Sequence, residues 1–427
     1  MLTIIMILAG LVLLLFTGLP IFAGLSIFGG ALLLGAPGGL TALTDIIFTK
    51  ISMYVLVAIP LFAYMAHIMI RGRIVDDLYG TAYTLTRHLP GGVGIATILA
   101  CMIFSAISGS SVATALTIGA VAIPQMIRYG YDPKIAYGLV AAGGTLGILI
   151  PPSGPMIIYG VATDTSIGGL FMAGLLPGLM LALIFMIATA FHQRHAKREK
   201  RATLRESGVA IRKSGWALLL PTLVLGGMYL GVFTATEAAA VGALLALFVA
   251  TVIYRSVGIK EIWECAVEAS RTSAMLFMIL AGAAVFSHAL TKMMIPQQIV
   301  QLVVSLDVSV FGFLLAMMLL IFILGMFLES IAIILITSPV ILPVLVLLDI
   351  NPIWYGVLLV INLELAMITP PVGMNLFTIK AVTNAPIGQI IRGSAPFVLL
   401  MMLGLALVLL FPQIAMWLPN RMLNPGV

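Results

Sequence analysis

The chain has 427 residues, 62% hydrophobic and 8% charged, with a formal net charge of +6. Water-soluble domains carry about 25% charged residues, so a chain this apolar needs lipid as its solvent. Two cysteines and five histidines without a His-Glu-x-x-His pair exclude a disulfide framework, a metal cluster and an intramembrane zinc protease. The charge is not a nucleic-acid signature, because much of it lies in one segment.

About 20 apolar residues cross a bilayer as a helix. Apolar stretches recur at 4–34, 41–70, 92–126, 135–163, 170–191, 216–234, 235–254, 266–290, 298–327, 329–348, 353–379 and 394–418. The first lacks a basic flank and outruns a signal-peptide core, so it is expected to be a retained span, long enough for a kinked pair. Cys101 and Cys265 lie in or beside apolar spans, as small apolar fillers.

The stretch at 92–126 is broken by Ser105-Ala-Ile-Ser108-Gly109-Ser110-Ser111 and then carries Pro124, which predicts a helical hairpin entering and leaving one side of the membrane. The stretch at 135–163 is broken by Gly147-Ile-Leu-Ile-Pro151-Pro152-Ser153-Gly154. Two consecutive prolines remove two backbone donors and end the first half-helix. Between 192 and 215 comes a basic loop. Arg194, Lys197, Arg198, Lys200, Arg201, Arg205, Arg212 and Lys213 face only Glu199 and Glu206 there. The positive-inside rule places this loop in the cytoplasm.

The second half repeats the first. A shift of 219 residues lays Ser111–Pro177 on Ser330–Pro396 with 15 of 67 positions identical, more than apolar composition alone supplies. Pro124, Pro133, Pro151, Pro152 and Pro177 fall on Pro343, Pro352, Pro370, Pro371 and Pro396, and Gly154 and Gly174 fall on Gly373 and Gly393. Proline position reports backbone geometry rather than greasiness. The chain therefore reads as two copies of one architecture, 1–191 and 216–427, separated by the loop. The second copy has its hairpin near 312–346, with the tip at Gly325-Met-Phe-Leu-Glu329-Ser330. Its broken helix lies near 353–379, through Ala366-Met-Ile-Thr369-Pro370-Pro371-Val372-Gly373-Met-Asn375.

Paired broken helices at matching positions point to the binding site of a secondary transporter. The carbonyl end of a half-helix carries about half a negative charge and suits Na⁺, while the opposing N–H ends and hydroxyls suit a carboxylate. Ser110, Ser111, Ser153 and Asn375 are the candidate substrate groups. Glu329 and Glu364 flank the second-half breaks where Ser110 and Thr145 stand in the first, and could tune sodium or proton coupling. Glu237, in an apolar run, either supports a nearby break or starts a helix capped by Thr236. Asp164 belongs to a turn, Arg271, Lys292 and Lys380 are interface anchors, and His67 and His288 are structural. A serine-nucleophile enzyme at Ser108-Gly109 has no base nearby, and a channel needs no paired hairpins.

At these residues the chain resembles the large permease subunit (DctM-like) of tripartite ATP-independent periplasmic, or TRAP, transporters. The resemblance is carried by SAISGSSVATA at 105–115, RYGYDPKIAYGLVAAGGTLGILIPPSGPMIIYG at 128–160, SIGGLFMAGLLPG at 166–178, FTATEAAAVGA at 233–243 and ITPPVGMNLF at 368–377. It implies an all-α polytopic bundle of the bacterial inner membrane, with inverted repeats, two re-entrant hairpins and two discontinuous helices, working as an elevator. It also implies Na⁺-driven import of a small organic anion (a dicarboxylate, sugar acid or other carboxylate) with a small membrane subunit and a periplasmic binding protein. No cofactor beyond the coupling ion, no catalysis and no nucleic acid is expected. One sodium site is implied at Ser105, Ser108, Gly147, Ile150 and Pro152, and the other at Gly325, Ala366, Thr369 and Val372. Ala366 stands where the family more often has glycine. The alternative is a Na⁺- or H⁺-coupled carboxylate carrier that needs no binding protein.

Overall fold

The computed structural model describes residues 2–35, 40–72, 74–194 and 199–423. Residues 195–198 of the basic segment lie outside them. Among the described residues all regular structure is helical. In chain order the helices are α1 (Leu2–Phe16), α2 (Ile21–Leu34), α3 (Leu43–Ile51), α4 (Ala58–Arg71), α5 (Ile74–Thr86), α6 (Gly92–Ser108) and α7 (Ser111–Arg128). They continue with α8 (Pro133–Thr145), α9 (Gly154–Thr163), α10 (Ile167–His192), α11 (Leu204–Tyr229), α12 (Ala235–Phe248), α13 (Ile259–Lys292) and α14 (Ile295–Ser305). The last are α15 (Val310–Gly325), α16 (Ser330–Leu347), α17 (Pro352–Met367), α18 (Met374–Thr383), α19 (Ile387–Leu410) and α20 (Gln413–Leu423). Eight helical segments among the described residues are long and apolar enough to cross a membrane.

Local chemistry sets most of these bounds. Asp132 and Asn351 cap α8 and α17, accepting from the backbone N–H of Lys134 at 2.9 Å and of Ile353 at 2.8 Å. Each is followed by a proline at the first helical position, where the missing N–H has no intrahelical partner to lose. Three expected spans divide. The stretch at 41–70 becomes α3 and α4, and α3 buries none of its side chains. The stretch at 298–327 becomes α14 and α15, because Asp307 turns left-handed (φ 47°) and Ser309 caps α15 from the N–H of Gly312. The stretch at 394–418 becomes α19 and α20, because Pro412 cannot continue a helix.

The basic loop is shorter than expected. Thr203 and Glu206 form a reciprocal capping box, so residues 204–215 belong to α11. Thr234 and Glu237 form a second one. Glu237 accepts from the Thr234 N–H and hydroxyl, both at 2.8 Å. Of the two readings of Glu237, the helix start is therefore the one the contacts describe, and the cap is Thr234 rather than Thr236. No break residue is among Glu237's hydrogen-bond partners.

The 219-residue shift reappears as geometry, since α7 at 111–128 moves onto α16 at 330–347. The two copies nevertheless interlock. α9 packs on α16 and α18 packs on α7. The Tyr159 hydroxyl donates to the Pro352 carbonyl at 2.8 Å, and Asn375 Nδ2 donates to the Ala141 carbonyl at 3.1 Å. α8 and α19 meet backbone to backbone, where a methyl on Gly138 would sit 1.9 Å from the Gly393 oxygen. The boundaries 1–191 and 216–427 thus divide the chain, not the space it fills.

Around this interlocked body, α4 runs along α13. His67 pairs with Glu268 at 3.2 Å, and Arg71 pairs with Glu264 at 3.3 Å and Glu268 at 3.0 Å. α5 is held to α11 by Lys213–Asp77 at 2.6 Å and Arg87–Glu206 at 2.7 Å. Solvent-exposed pairs of this kind add little stability, so burial carries the fold.

Gly138→Val should therefore lower the detergent melting temperature, because overpacking typically costs about 1–3 kcal/mol and a backbone carbonyl cannot rotate away. Gly388→Ala, with nothing within 4 Å of the added methyl, is the control. Equal melting temperatures for the two variants would refute the contact.

Candidate solute site at the two hairpin tips

α6 ends at Ser108, Gly109 turns left-handed (φ 60°), and Ser110 starts α7 by accepting from the Ala113 N–H at 3.3 Å. The turn puts Gly109 directly on the first double-proline break. A methyl there would lie 2.5 Å from the Pro152 oxygen, so the position excludes side chains through both φ and contact. Gly147 meets the same tip from the other side of the break, where a methyl would clash with the Ser110 oxygen at 2.5 Å. The Ser110 and Pro152 carbonyls therefore sit in the seam between hairpin and broken helix. Ser108 hydrogen-bonds Thr114 at 3.0 Å across the tip. Ser105 returns its hydroxyl to the Cys101 carbonyl at 2.6 Å, and its own carbonyl accepts from the Gly109 N–H at 3.0 Å. Ser105, Ser108, Gly147, Ile150 and Pro152 thus belong to one junction.

The second junction is built alike. A methyl on Gly325 would meet Ala366 Cβ at 2.6 Å. The Ala366 carbonyl accepts from the Thr369 N–H at 3.1 Å, and the Thr369 hydroxyl donates to the Leu365 carbonyl at 2.7 Å. Both double prolines contain a cis peptide bond. The environments differ, however. Pro151, Pro152 and Ser153 are buried, whereas Pro370, Pro371 and Val372 are exposed.

Between the tips lies a cavity of about 250 Å³. Ser108 through Val112 line it from the first hairpin, and Glu329, Ser330 and Ile331 from the second. Ser111 and Ser330, equivalent under the repeat, both donate to the Met367 sulfur, at 3.4 and 3.6 Å. Pro152, Gly154 and Pro155 of the first break form one wall, and Phe62 and Ala63 of α4 and Thr272, Met275 and Leu276 of α13 form another. The sequence carried no signal for this wall, because the pairing of α4 with α13 is purely tertiary. Met367 was missed as one more apolar residue of α17.

Two candidate substrate groups do not reach the cavity. Ser153 is fully buried and committed to the backbone, donating to the Ile148 carbonyl and accepting from the Met156 N–H. Asn375 is fully buried and spends its amide on Ala141, leaving Oδ1 without a partner. Ser153 is spent on closing its own helix end, and Asn375 on tying α18 to α8. Glu364 lies inside α17, fully buried, and neither carboxylate oxygen has a hydrogen-bond partner. Of the three acidic residues singled out, only Glu329 lines the cavity.

A helical membrane body with two crossing breaks and a cavity between their tips defines a solute carrier, and the solved structures agree on the fold. The Alcanivorax borkumensis YdaH transporter superposes with a TM-score of 0.68 at 15% identity, covering 93% of this chain and 97% of its own. The sequence then gives the family. Residues 8–414 match the DctM component of tripartite ATP-independent periplasmic transporters. The chain belongs to that family and is a multi-pass protein of the bacterial inner membrane. It is 41% identical over 391 residues to the C4-dicarboxylate TRAP transporter large permease protein DctM of Pseudomonas aeruginosa, covering 91% of this chain and 92% of that one. It is 34% identical to the ectoine TRAP transporter large permease protein TeaC of Halomonas elongata, over 91% of each.

Gly109→Ala should abolish transport while leaving the protein in the membrane, because the added methyl separates the tip from Pro152. Uptake above one tenth of wild type, at matched expression, would show that the seam tolerates opening.

Proposed function

We propose that the chain is the large permease subunit of a Na⁺-coupled importer of a small organic anion, delivered by a periplasmic binding protein and assembled with a small membrane subunit. The observation that carries this reading is the double junction. Two hairpin tips are each pressed on a helix break, with backbone carbonyls in the seams and helix N-termini around one cavity. Irregular backbone inside a membrane is tolerated where protein, water or an ion satisfies it. Na⁺ would sit at the Ser105–Ser108 and Gly147–Pro152 junction, and at the Gly325 and Ala366–Val372 junction. The anion would lie in the cavity, at Ser110 and Ser111. Bound together, cation and anion offset each other's charge in a region where an unpaired charge is expensive.

The energetics suffice. Each inward Na⁺ gains about 2.3 kcal/mol per 100 mV and about 1.4 kcal/mol for a tenfold gradient. Two ions would drive a monoanion uphill by more than about a hundredfold. Exchange of the two junctions across the membrane, by elevator motion of the interlocked body against α4 and α13, would alternate the access of the cavity. The relatives named above carry different solutes, so the identity of the anion has to come from the site and the binding protein.

The test is uptake into proteoliposomes holding both membrane subunits, with the cognate binding protein outside. Uptake should require an inward Na⁺ gradient. Ser108→Leu and Thr369→Leu should each raise the half-activating Na⁺ concentration by about tenfold, a loss of about 1.4 kcal/mol, with the melting temperature unchanged in the absence of Na⁺. Wild-type uptake indifferent to Na⁺ would overturn the coupling. Unaltered Na⁺ activation in both variants would move the ion sites elsewhere.

A further inference from the structure

The two tips that meet at the cavity are alike around Met367 and unlike at one charge. In the first, the neutral hydroxyl of Ser110 caps α7. In the second, at the equivalent position, Glu329 caps α16, and Oε2 accepts from the Ile331 N–H at 3.1 Å. A helix N-terminus carries about half a positive charge. At α7 only serine hydroxyls face it, and a hydroxyl can either accept or donate, so that end remains open to an anion. At α16 the carboxyl group of Glu329 already occupies the N-terminus with Oε2, and in its ionised form such a group accepts hydrogen bonds without donating any. Among the described residues lining the cavity, none is Lys, Arg or His. The favourable partner for Glu329 among the described residues is the helix end it caps. The cavity has an anion-accepting pole at Ser110–Ser111 and a donor-seeking pole at Glu329.

We propose that Glu329 is the specificity determinant of this site, and that the solute is a carboxylate whose opposite end carries a hydroxyl or ammonium group that donates to Glu329. The proposal rests on the carboxylate reading of the cavity and goes beyond it by naming what the far end must bear. A second carboxylate at that end would face Glu329 with no cation lining the cavity. A bare methyl there would take Glu329 out of water and supply no donor in return. Hydrogen bonds to charged groups are worth about ten- to a hundredfold in affinity, which sets the discrimination expected.

The test avoids the binding protein's own selectivity. The purified complex of the chain with its small membrane subunit, in saturating Na⁺, is titrated calorimetrically with 4-hydroxybutyrate, butyrate and succinate, which differ at the far end. Wild type should bind the hydroxy acid at least about tenfold more tightly than either of the others. Glu329→Ser, which restores the capping chemistry of the first tip, should reduce that preference to within about threefold. Glu329→Gln, which removes the charge, should improve succinate relative to the wild type. Succinate or butyrate binding as tightly as the hydroxy acid in wild type would overturn the proposal, as would a Glu329→Ser complex that keeps the hydroxyl preference. The wild-type series decides the matter even where a variant fails to fold. If none of the three acids bound, the carboxylate reading would fall and this proposal with it. Binding of all three without preference would remove the role of Glu329 alone.

Discussion

The constraint on which this structure depends is that a peptide group inside a membrane must find its hydrogen bond within the protein. Breaking a helix at bilayer depth creates orphan N–H and C=O groups, and this chain does so four times. Each break is closed by side chains a few residues away. Ser110, Ser153 and Glu329 accept from the first N–H groups of the helices they start. Thr145 and Thr369 turn their hydroxyls back on carbonyls of the helices that are ending. Glycines then let the hairpin tips sit directly on the breaks, so the remaining carbonyls face a narrow seam rather than lipid. The carrier geometry follows from this closure. Two of the groups that repair the breaks, Ser110 and Glu329, also line the cavity.

The repeat is close in backbone and unequal in environment. Helices α7 and α16 coincide under the shift, and both serines that follow the tips reach one sulfur. Yet the first double proline is buried and the second is exposed. One tip is capped by a hydroxyl and the other by a carboxylate. Two copies of one architecture therefore present different chemistry to a single cavity. An asymmetric solute can be read in only one orientation by such a site. Glu364 marks a further departure from symmetry, since its counterpart Thr145 is satisfied by the Ala142 carbonyl while Glu364 has no hydrogen-bond partner among the described residues.

Much of the candidate site was legible in the sequence because prolines and glycines act through the backbone, where a shift of 219 residues can be read without coordinates. The tips at Ser105–Ser111 and Gly325–Ser330 and both double prolines fall where that pattern places them. Side-chain roles were less legible. Ser153 is consumed by its own helix end and Asn375 by the Ala141 carbonyl of the other copy, and only the contact geometry shows it. Glu237 illustrates the same competition, because Thr234 three residues earlier turns it into half of a capping box.

The sequence by itself determined that the chain lives in lipid, that it holds two copies of one plan, and where each copy breaks its helices. These are consequences of composition and of proline's fixed geometry, which act locally and survive any packing. Only the tertiary structure decided that the copies interlock, that α4 and α13 wall the cavity, that Met367 joins the two tips, and that Glu329, unlike Glu237 and Glu364, lines the cavity. Those outcomes depend on which apolar faces meet. Apolar faces in a membrane protein are nearly alike in sequence, since lipid and protein neighbours select the same side chains.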